Sequence, residues 1–472
     1  MRILWLHQYF ATPAGWGSVR TFEFGRRFVA AGHGVDVLCC AAYDPSLAGR
    51  GMVEAGGMRV HVSRTRYRPQ MGFLARVASF LSFACFALWH VLRHGRKYDR
   101  IIASSSPLTM AIPALLARWV HRTPFVFEVI DVWPDAAIAA GVLRNPLLQW
   151  LAFRLEARAY RHASCIVTCS PGMTERVLRK GEDRATGWRS YNSRAGAALW
   201  ERHPVARKGS LVVSGAACAS RYGAKVVTIP NSCDLDVFRP DPACRAATRA
   251  ALGVRDDQLV VLYTGAMGRS NAVDDMVQAA ELLAGDPRIV WWFAGDGAEA
   301  DKLRQVAAEF SGGNGGPGAP RTGSHAEVRV SDSCPPAERP GHRCGLLATR
   351  FFGSLPREKV VELCQAADVA LVTFMHAPLF EENSPNKFFD AISAGLPVIF
   401  NRSTWLEPDI AEYGCGVVCK GAEPAGEMAA RLRELADNPS LRLRMAAGAR
   451  RLAKERYSRD KLAETYLEVL NR

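Results

Sequence analysis

The chain has 472 residues, 49% of them hydrophobic and 22% charged, a composition that fits a folded globular protein and excludes a disordered or fibrous one. This length suggests two or three domains. The formal net charge of +14 favours anionic partners, whether nucleotides, nucleic acid or an acidic membrane face, without choosing among them.

Met1 to Leu6 reads as a buried strand, His7 to Ser18 as a loop holding Pro13, Gly15 and Gly17, and Val19 to Ala31 as a helix stopped by Gly32-His33-Gly34. Val35 to Cys40 is the next strand, which completes a βαβ unit of a parallel sheet. The loop Gly15-Trp16-Gly17-Ser18-Val19-Arg20 lacks the third glycine of a dinucleotide fingerprint and argues against an NAD site. Met71 to Arg93 holds the longest apolar run, Phe80–Trp89, with Arg76 before it and His90, Arg93, Arg96 and Lys97 after it. That run is shorter than the ~20 residues a spanning helix needs. Two readings stand: a buried core helix, and a helix lying in the membrane interface with basic flanks on anionic headgroups.

A strand from Arg100 to Ala103, a Ser104–Pro107 turn and a helix from Leu108 to Val120 precede the strand Phe125–Ile130, which runs into Asp131-Val132-Trp133-Pro134-Asp135. Ligands of open parallel sheets bind beyond the carboxyl ends of the strands, so Asp131 is a candidate functional acid. The plain alternatives are a solvated Asp131 and a helix cap at Asp135. A helix from Pro146 to His162, a strand from Cys165 to Cys169, a capped helix start at Ser170–Glu175 and a strand over Val226–Asn231 follow. Between about 181 and 224 the pattern gives way to Arg, Ser, Gly and Ala, which reads as an insertion, a lid or an acceptor contact.

The second half restarts the alternation with the strand Gln258–Thr264, the loop Gly265-Ala266-Met267-Gly268, a helix from Asp274 to Leu283 and the strand Arg288–Phe293, closed by Gly295-Asp296-Gly297. After a helix from Ala298 to Phe310, the Gly-, Pro- and Ser-rich stretch at about 312–345 reads as a disordered insertion. Strand 350–353, a helix from Arg357 to Ala366 and strand Asp368–Phe374 lead to the most informative stretch, Phe380–Phe400. There a polar loop, Glu382 to Ser384, meets Pro385 at the first helical position, and the helix runs to Gly395. Phe388, Ala391 and Ile392 share one side of it; Asn386, Asp390 and Ser393 share a side free for a ligand. The free N–H groups of such a helix start favour phosphate, and Lys387 adds a full charge, although an ordinary capped helix with a solvated lysine fits as well. Amphipathic helices over Ala425–Arg456 and Lys461–Leu470 close the chain, for a total of two Rossmann-like halves. The thirteen cysteines form no C-x2-C pair, the closest spacings (Cys39/Cys40, Cys165/Cys169 and Cys415/Cys419) sit in apolar, strand-like surroundings, and Met1–Leu6 is too short for a signal peptide. Both points lead to the expectation of reduced thiols and a cytosolic protein.

In order and spacing, these stretches resemble the GT-B fold glycosyltransferases of family 4 (GT4), and within them the WbuB-like bacterial branch that builds O-antigen, capsule or exopolysaccharide. The resemblance is carried by the glycine loop with Arg20 and Glu23, by Phe127–Asp135, Ile229–Pro240 and Ala294–Gly297, and by Phe380–Phe400. It implies an α/β fold of two Rossmann-like domains facing across a cleft. An acceptor-side domain would span 1–232 and a nucleotide-sugar donor domain 233–445, with C-terminal helices over 446–472 packing back toward the N-terminal domain. The implied activity is transfer, with retention, of a hexose or N-acetylaminosugar from a nucleotide-diphosphate sugar to a lipid-linked saccharide in cell-surface polysaccharide synthesis. The protein would work in the cytoplasm, peripherally at the inner face of the plasma membrane and against anionic lipid, with no nucleic acid, cofactor or metal.

The same resemblance puts the family's E-x7-E pair on Glu382, toward the donor sugar, and Asp390, toward the ribose. Ser384 and Asn386 lie between them, with Lys387 and Arg269 at the diphosphate. Gly265, Gly268 and Gly295 are the implied donor-loop glycines, Gly15, Gly17 and Arg20 the implied acceptor-side loop, and Asp131 the implied acid beside the reacting centre. The chain departs from the family at Asp390, where relatives have Glu, at Ala266 and Ser270 or Asn271, where many have Arg and Lys, and at Ile130, where relatives have His or Arg. Asp234-Leu235-Asp236 has the form of a D-x-D metal motif but falls in the interdomain linker and reads as structural. A sugar-nucleotide 2-epimerase of the same fold and a non-catalytic, membrane-associated assembly partner are the rival readings.

Overall fold

The structure is a computed structural model that describes all residues except 16, 69–70, 140, 142, 181–217, 220–223, 311–348 and 472. The expected insertions at about 181–224 and 312–345 therefore lie almost wholly outside the described residues. Two sheets carry the fold. The first contains β1 (Arg2–Leu6), β2 (Gly34–Cys40), β3 (Met52–Ala55), β4 (Met58–Ser63), β5 (Arg100–Ser104), β6 (Phe125–Val129), β7 (Cys165–Thr168), β8 (Cys218–Ala219) and β9 (Lys225–Thr228), in the order 3-4-2-1-5-6-7-9-8. Only the edge pairs β3/β4 and β8/β9 are antiparallel. The second contains β10 (Leu259–Thr264), β11 (Ile289–Ala294), β12 (Arg350–Gly353), β13 (Val369–Val372), β14 (Val398–Phe400) and β15 (Gly416–Val418), in the order 12-11-10-13-14-15 and parallel throughout.

Strands of parallel sheets are covered by helices on both faces, which is why they are apolar at every position instead of alternating. In β1, Ile3 and Trp5 enter one core with Phe24 and Phe28, while Leu4 and Leu6 enter another with Phe83 and Ala87. In β10, Val260 and Leu262 point to one side and Val261 and Tyr263 to the other. The β3–β4 hairpin was not anticipated from the sequence, although Gly56-Gly57 marks its turn: both residues have positive φ (58° and 75°).

The Phe73–His94 helix packs Phe83, Ala84, Ala87 and Val91 against the first sheet and buries Ser79 and His90. Its 22 residues are enough to cross a membrane by length and composition, which corrects the expectation from the apolar run alone. The other side is apolar and open, with Leu74 80% and Trp89 59% exposed. The core reading thus describes the inner face of the segment, and the outer face is apolar and exposed.

Near the C-terminus the expected single helix is two, Pro424–Asp437 and Pro439–Glu455. The Pro439 ring cannot continue the first, and the Asn438 side chain caps the second by accepting from Leu441 N at 2.9 Å. The Pro439–Glu455 helix stays with the second sheet through Ala449, Leu452 and Ala453. The chain then returns: Ser458 bridges to Cys233, and the Arg459–Asn471 helix docks on the first sheet. There Leu462, Tyr466 and Leu470 join the core of Trp5, Phe24 and Phe28, with the Tyr466 ring edge-on to all three.

Candidate active site

Loops at the carboxyl ends of both sheets meet across a cleft, where open α/β sheets bind ligands. On the second side, the loops after β10 and β11 are locked backbone to backbone. Gly265 N donates to Ala294 O at 2.9 Å and Met267 N to Asp296 O at 2.9 Å. Gly295 has φ +146°, and a Cβ there would lie 1.9 Å from Gly265 O, so glycine is required for the two loops to touch. Gly265 (φ +120°) leaves open the space beside the Lys387 side chain, which a Cβ would meet at 3.5 Å.

Lys387 comes from the Asn386–Ser393 helix. Pro385 is the residue before that helix, not its first member, and has extended backbone. The Lys387 amine donates to the Tyr263 hydroxyl at 2.8 Å and to Asn271 Oδ1 at 3.2 Å, and it lies 4.1 Å from the Tyr263 ring centroid. It has no carboxylate partner among the described residues, and burial lowers its pKa from the usual lysine range to about 7. Arg269 is exposed on the short turn Arg269–Asn271 after Gly268, without an ion-pair partner among the described residues. An amine held unpaired beside bare glycine loops, at a helix start with free N–H groups, is a ready anion site. The sequence reading placed Ser393 on the free face. Instead it is buried, with its hydroxyl donating to Phe389 O, because it faces the adjoining helix.

Glu382 reaches across the cleft. Its carboxylate accepts two hydrogen bonds from Arg176, Nε at 2.9 Å and Nη2 at 2.6 Å. Arg176 stands on the Pro171–Lys180 helix of the first half, and Gly172 of the same helix lies under the Glu382 side chain, where a Cβ would come within 2.4 Å of Cγ. Beside this bridge, Asn231 N donates to Ser384 Oγ at 3.0 Å and Asn231 Nδ2 to Ser384 O at 2.6 Å. The sequence analysis missed Arg176. A helix-start glycine followed four residues later by an arginine carries no signal without its distant partner.

Gly17 and Arg20 from the first half, and Asn386 and Asp390 from the second, line one small cavity of about 80 Å³ together with Asn231, Ser232, Arg357 and Arg459. Burial raises the Asp390 carboxyl to about 6, against the pull of Arg357 and Arg459. Arg20 itself is not a loop residue reaching for an acceptor. It opens the first helix, is buried, pairs with Glu128 at 3.0 Å and donates to Ile229 O and Pro230 O. Its work is to hold the strand that crosses between the halves, because a buried guanidinium needs those acceptors. Gly15 lies against Tyr43 and Asp44, where a Cβ would be 2.6 Å from Tyr43 O, so it serves loop packing.

Asp131 follows β6 and is exposed to the cleft. Its Oδ2 accepts from Ser106 Oγ at 2.6 Å, and Ser105 Oγ donates to its carbonyl at 2.9 Å. Desolvation by the surrounding protein atoms raises its pKa, opposed by the Ser106 hydrogen bond. Asp135 is buried against Lys180, which also pairs with Glu156 at 2.6 Å, and is structural. Asp234 is likewise structural: it is fully buried and accepts from Arg459 Nη1 at 2.9 Å and Arg357 Nη2 at 3.2 Å.

Residues 17–186 match the family described as Glycosyl transferase 4-like domain, and residues 344–452 match Glycosyl transferases group 1. Among curated proteins, the chain is 29% identical over 272 residues to D-inositol 3-phosphate glycosyltransferase of Geodermatophilus obscurus (54% of this chain, 51% of that one). It is 30% identical over 264 residues to the protein of the same name in Kineococcus radiotolerans (53% of each). The chain thus spans about half the length of the curated relatives it matches. Among solved structures, sucrose-phosphate synthase from Thermosynechococcus elongatus superimposes with a TM-score of 0.66 at 15% identity, covering 100% of this chain and 98% of that one. HepE of Anabaena in complex with UDP superimposes at 0.63 and 15%, covering 100% of both. These likenesses establish the fold as GT-B, and both halves of the chain carry glycosyltransferase-type domains.

Proposed function

We propose that the chain is a retaining glycosyltransferase that moves a sugar from a nucleotide-diphosphate sugar to a lipid-linked acceptor in cell-surface polysaccharide synthesis. The observation that carries this reading is the unpaired Lys387 amine, held beside Gly265 and Tyr263 at a helix start, where a diphosphate would supply the missing charge. Lys387, Arg269 and the helix N–H groups would stabilise the departing nucleotide diphosphate, so the reading requires no metal. Glu382 would face the sugar, Asp390 the ribose, and Asp131 the reacting centre from the opposite wall. The acceptor hydroxyl would pass its proton to a leaving-group oxygen as the new bond forms on the same face. That HepE was solved with UDP supports a nucleotide donor, and the phosphorylated acceptor in the relatives' name suits an anionic acceptor here.

Contact with the cytoplasmic membrane face is part of the same proposal. It is supported by the open apolar side of the Phe73–His94 helix and by exposed Trp119, Leu147 and Trp150 on the same half. The test is release of free nucleotide from a panel of UDP- and GDP-sugars, with and without lipid-linked acceptor vesicles. Acceptor-dependent release is expected. No release from any donor would overturn the proposal, and release independent of acceptor, with a free 2-epimer as product, would replace transfer by epimerisation.

A further inference from the structure

Beyond the donor side, a wide cavity lies at the carboxyl end of the first sheet, next to β2 and β4. It holds about 1080 Å³ and is lined by Arg64, Arg66 and Arg68, with Ser63, Tyr67 and Met71. The three arginines alternate with Thr65 and Tyr67, are exposed, and have no ion-pair partner among the described residues. Among the described residues, no acidic residue lines the cavity. Asp44 in a neighbouring loop is occupied by Thr12, whose N–H and hydroxyl donate to its carboxylate at 2.9 and 2.5 Å.

Tyr67 is fixed by aromatic packing, 4.8 Å from Tyr9 and 6.1 Å from Phe80 between ring centroids, so the arginine segment hangs on a rigid wall. The Phe73–His94 helix begins just past Met71 with Gly72 as its cap, no side-chain cap bond and no acid in its first turn. Its positive end is therefore also uncompensated. Its outward residues Leu74 and Leu81 continue from the cavity as an apolar track.

Resting on the glycosyltransferase reading, we propose that this cavity is the diphosphate subsite for a lipid-linked acceptor, with the arginines on the phosphates and the lipid chain along the open side of the helix. Planar, bidentate guanidinium groups suit phosphate oxygens better than single point charges do. The topology also sets a distance. From β4 through β2, β1 and β5 to β6 there are four parallel strand spacings, so the cavity lies roughly 19 Å from the β6 end that carries Asp131. An acceptor seated here would reach the reacting centre only through several linked sugars, and a lipid diphosphate bearing a single sugar would fall short.

The test titrates the intact protein with inorganic pyrophosphate. Two classes of site are expected: Lys387→Ala removes one, and R64A/R66A/R68A weakens the other by at least about tenfold, the change one charge-assisted contact carries. Wild-type stoichiometry and affinity in the triple variant would overturn the assignment. A second arm compares flotation with phosphatidylcholine vesicles carrying either polyprenyl diphosphate or phosphatidylglycerol at equal charge. Preference for the diphosphate vesicles, lost in the triple variant, supports the subsite; equal binding to both overturns it in favour of general headgroup attraction. Neither arm involves sugar transfer, and pyrophosphate binding at the Lys387 site should be unchanged in the triple variant, so the subsite and the enzymatic reading fail separately.

Discussion

Lys387 makes its neighbourhood testable through protons. With its pKa lowered to about 7 by burial, the amine is mostly neutral in the empty cleft above that pH. An arriving diphosphate returns the pKa toward the ordinary lysine range. Donor binding at pH 8 should therefore take up protons, well below pH 7 it should not, and Lys387→Met should abolish the uptake; calorimetry in buffers of different ionisation enthalpy reads this directly. Lys387→Ala should lower kcat by about 10²–10³-fold with little loss of stability, since the wild-type amine is desolvated without a counter-charge. Asp390 has the opposite sign: its folded pKa, about 6, stands above the ordinary 3.8. Its contribution to stability is thus full below the unfolded value and is lost as pH rises through about 6. The urea midpoint of the wild type should fall between pH 4 and 6 relative to that of Asp390→Asn.

Helices and loops carry the next level. The Pro171–Lys180 helix and the loop leading into the Asn386–Ser393 helix are joined through Arg176–Glu382, with Asn231–Ser384 beside it. Arg176→Ala should open the cleft, seen as a larger radius of gyration, and a double-mutant cycle with Glu382→Gln should give a coupling of about 1 kcal/mol or more. Arg176→Lys, which keeps the charge without the fork, should restore only part of it. Gly295→Ala should destabilise by about 3 kcal/mol in urea unfolding, because its Cβ would enter the Gly265 carbonyl.

Most elements were legible in the sequence, though not the β3–β4 hairpin or the break at Pro439. Runs such as Val260–Tyr263 are apolar because both faces of the sheet are covered, and the Asn386 helix announces itself by Pro385 before it and Gly395 after it. What the sequence did not reveal are pairings across the fold. Arg20 meets Glu128, Arg176 meets Glu382, and Arg459 meets Asp234 through tertiary packing, and no local period encodes a partner hundreds of residues away. Ser393 was misread for the same reason, since a polar residue reads as exposed until the covering helix is known.

At the level of the whole molecule, the two halves are stitched by two crossings, at Ile229–Cys233 and at Arg456–Arg459. Arg459 binds Ser232 and Asp234 where these crossings run side by side. Opening and closing should thus be a rotation about this paired strap. Tyr466→Ala should cost about 3–5 kcal/mol in the first half's unfolding transition, since the ring fills the space among Trp5, Phe24 and Phe28.

The returning helix also orders events on the ribosome. The first sheet's strands are finished at Thr228, yet Tyr466 and Leu470, which close one of its faces, emerge about 240 residues later. At 5–20 residues per second, the half-built sheet waits roughly 12–50 s with Trp5 and Phe28 uncovered, long enough for chaperone capture or wrong pairing. The order of synthesis thus runs opposite to the order in which this half can be sealed.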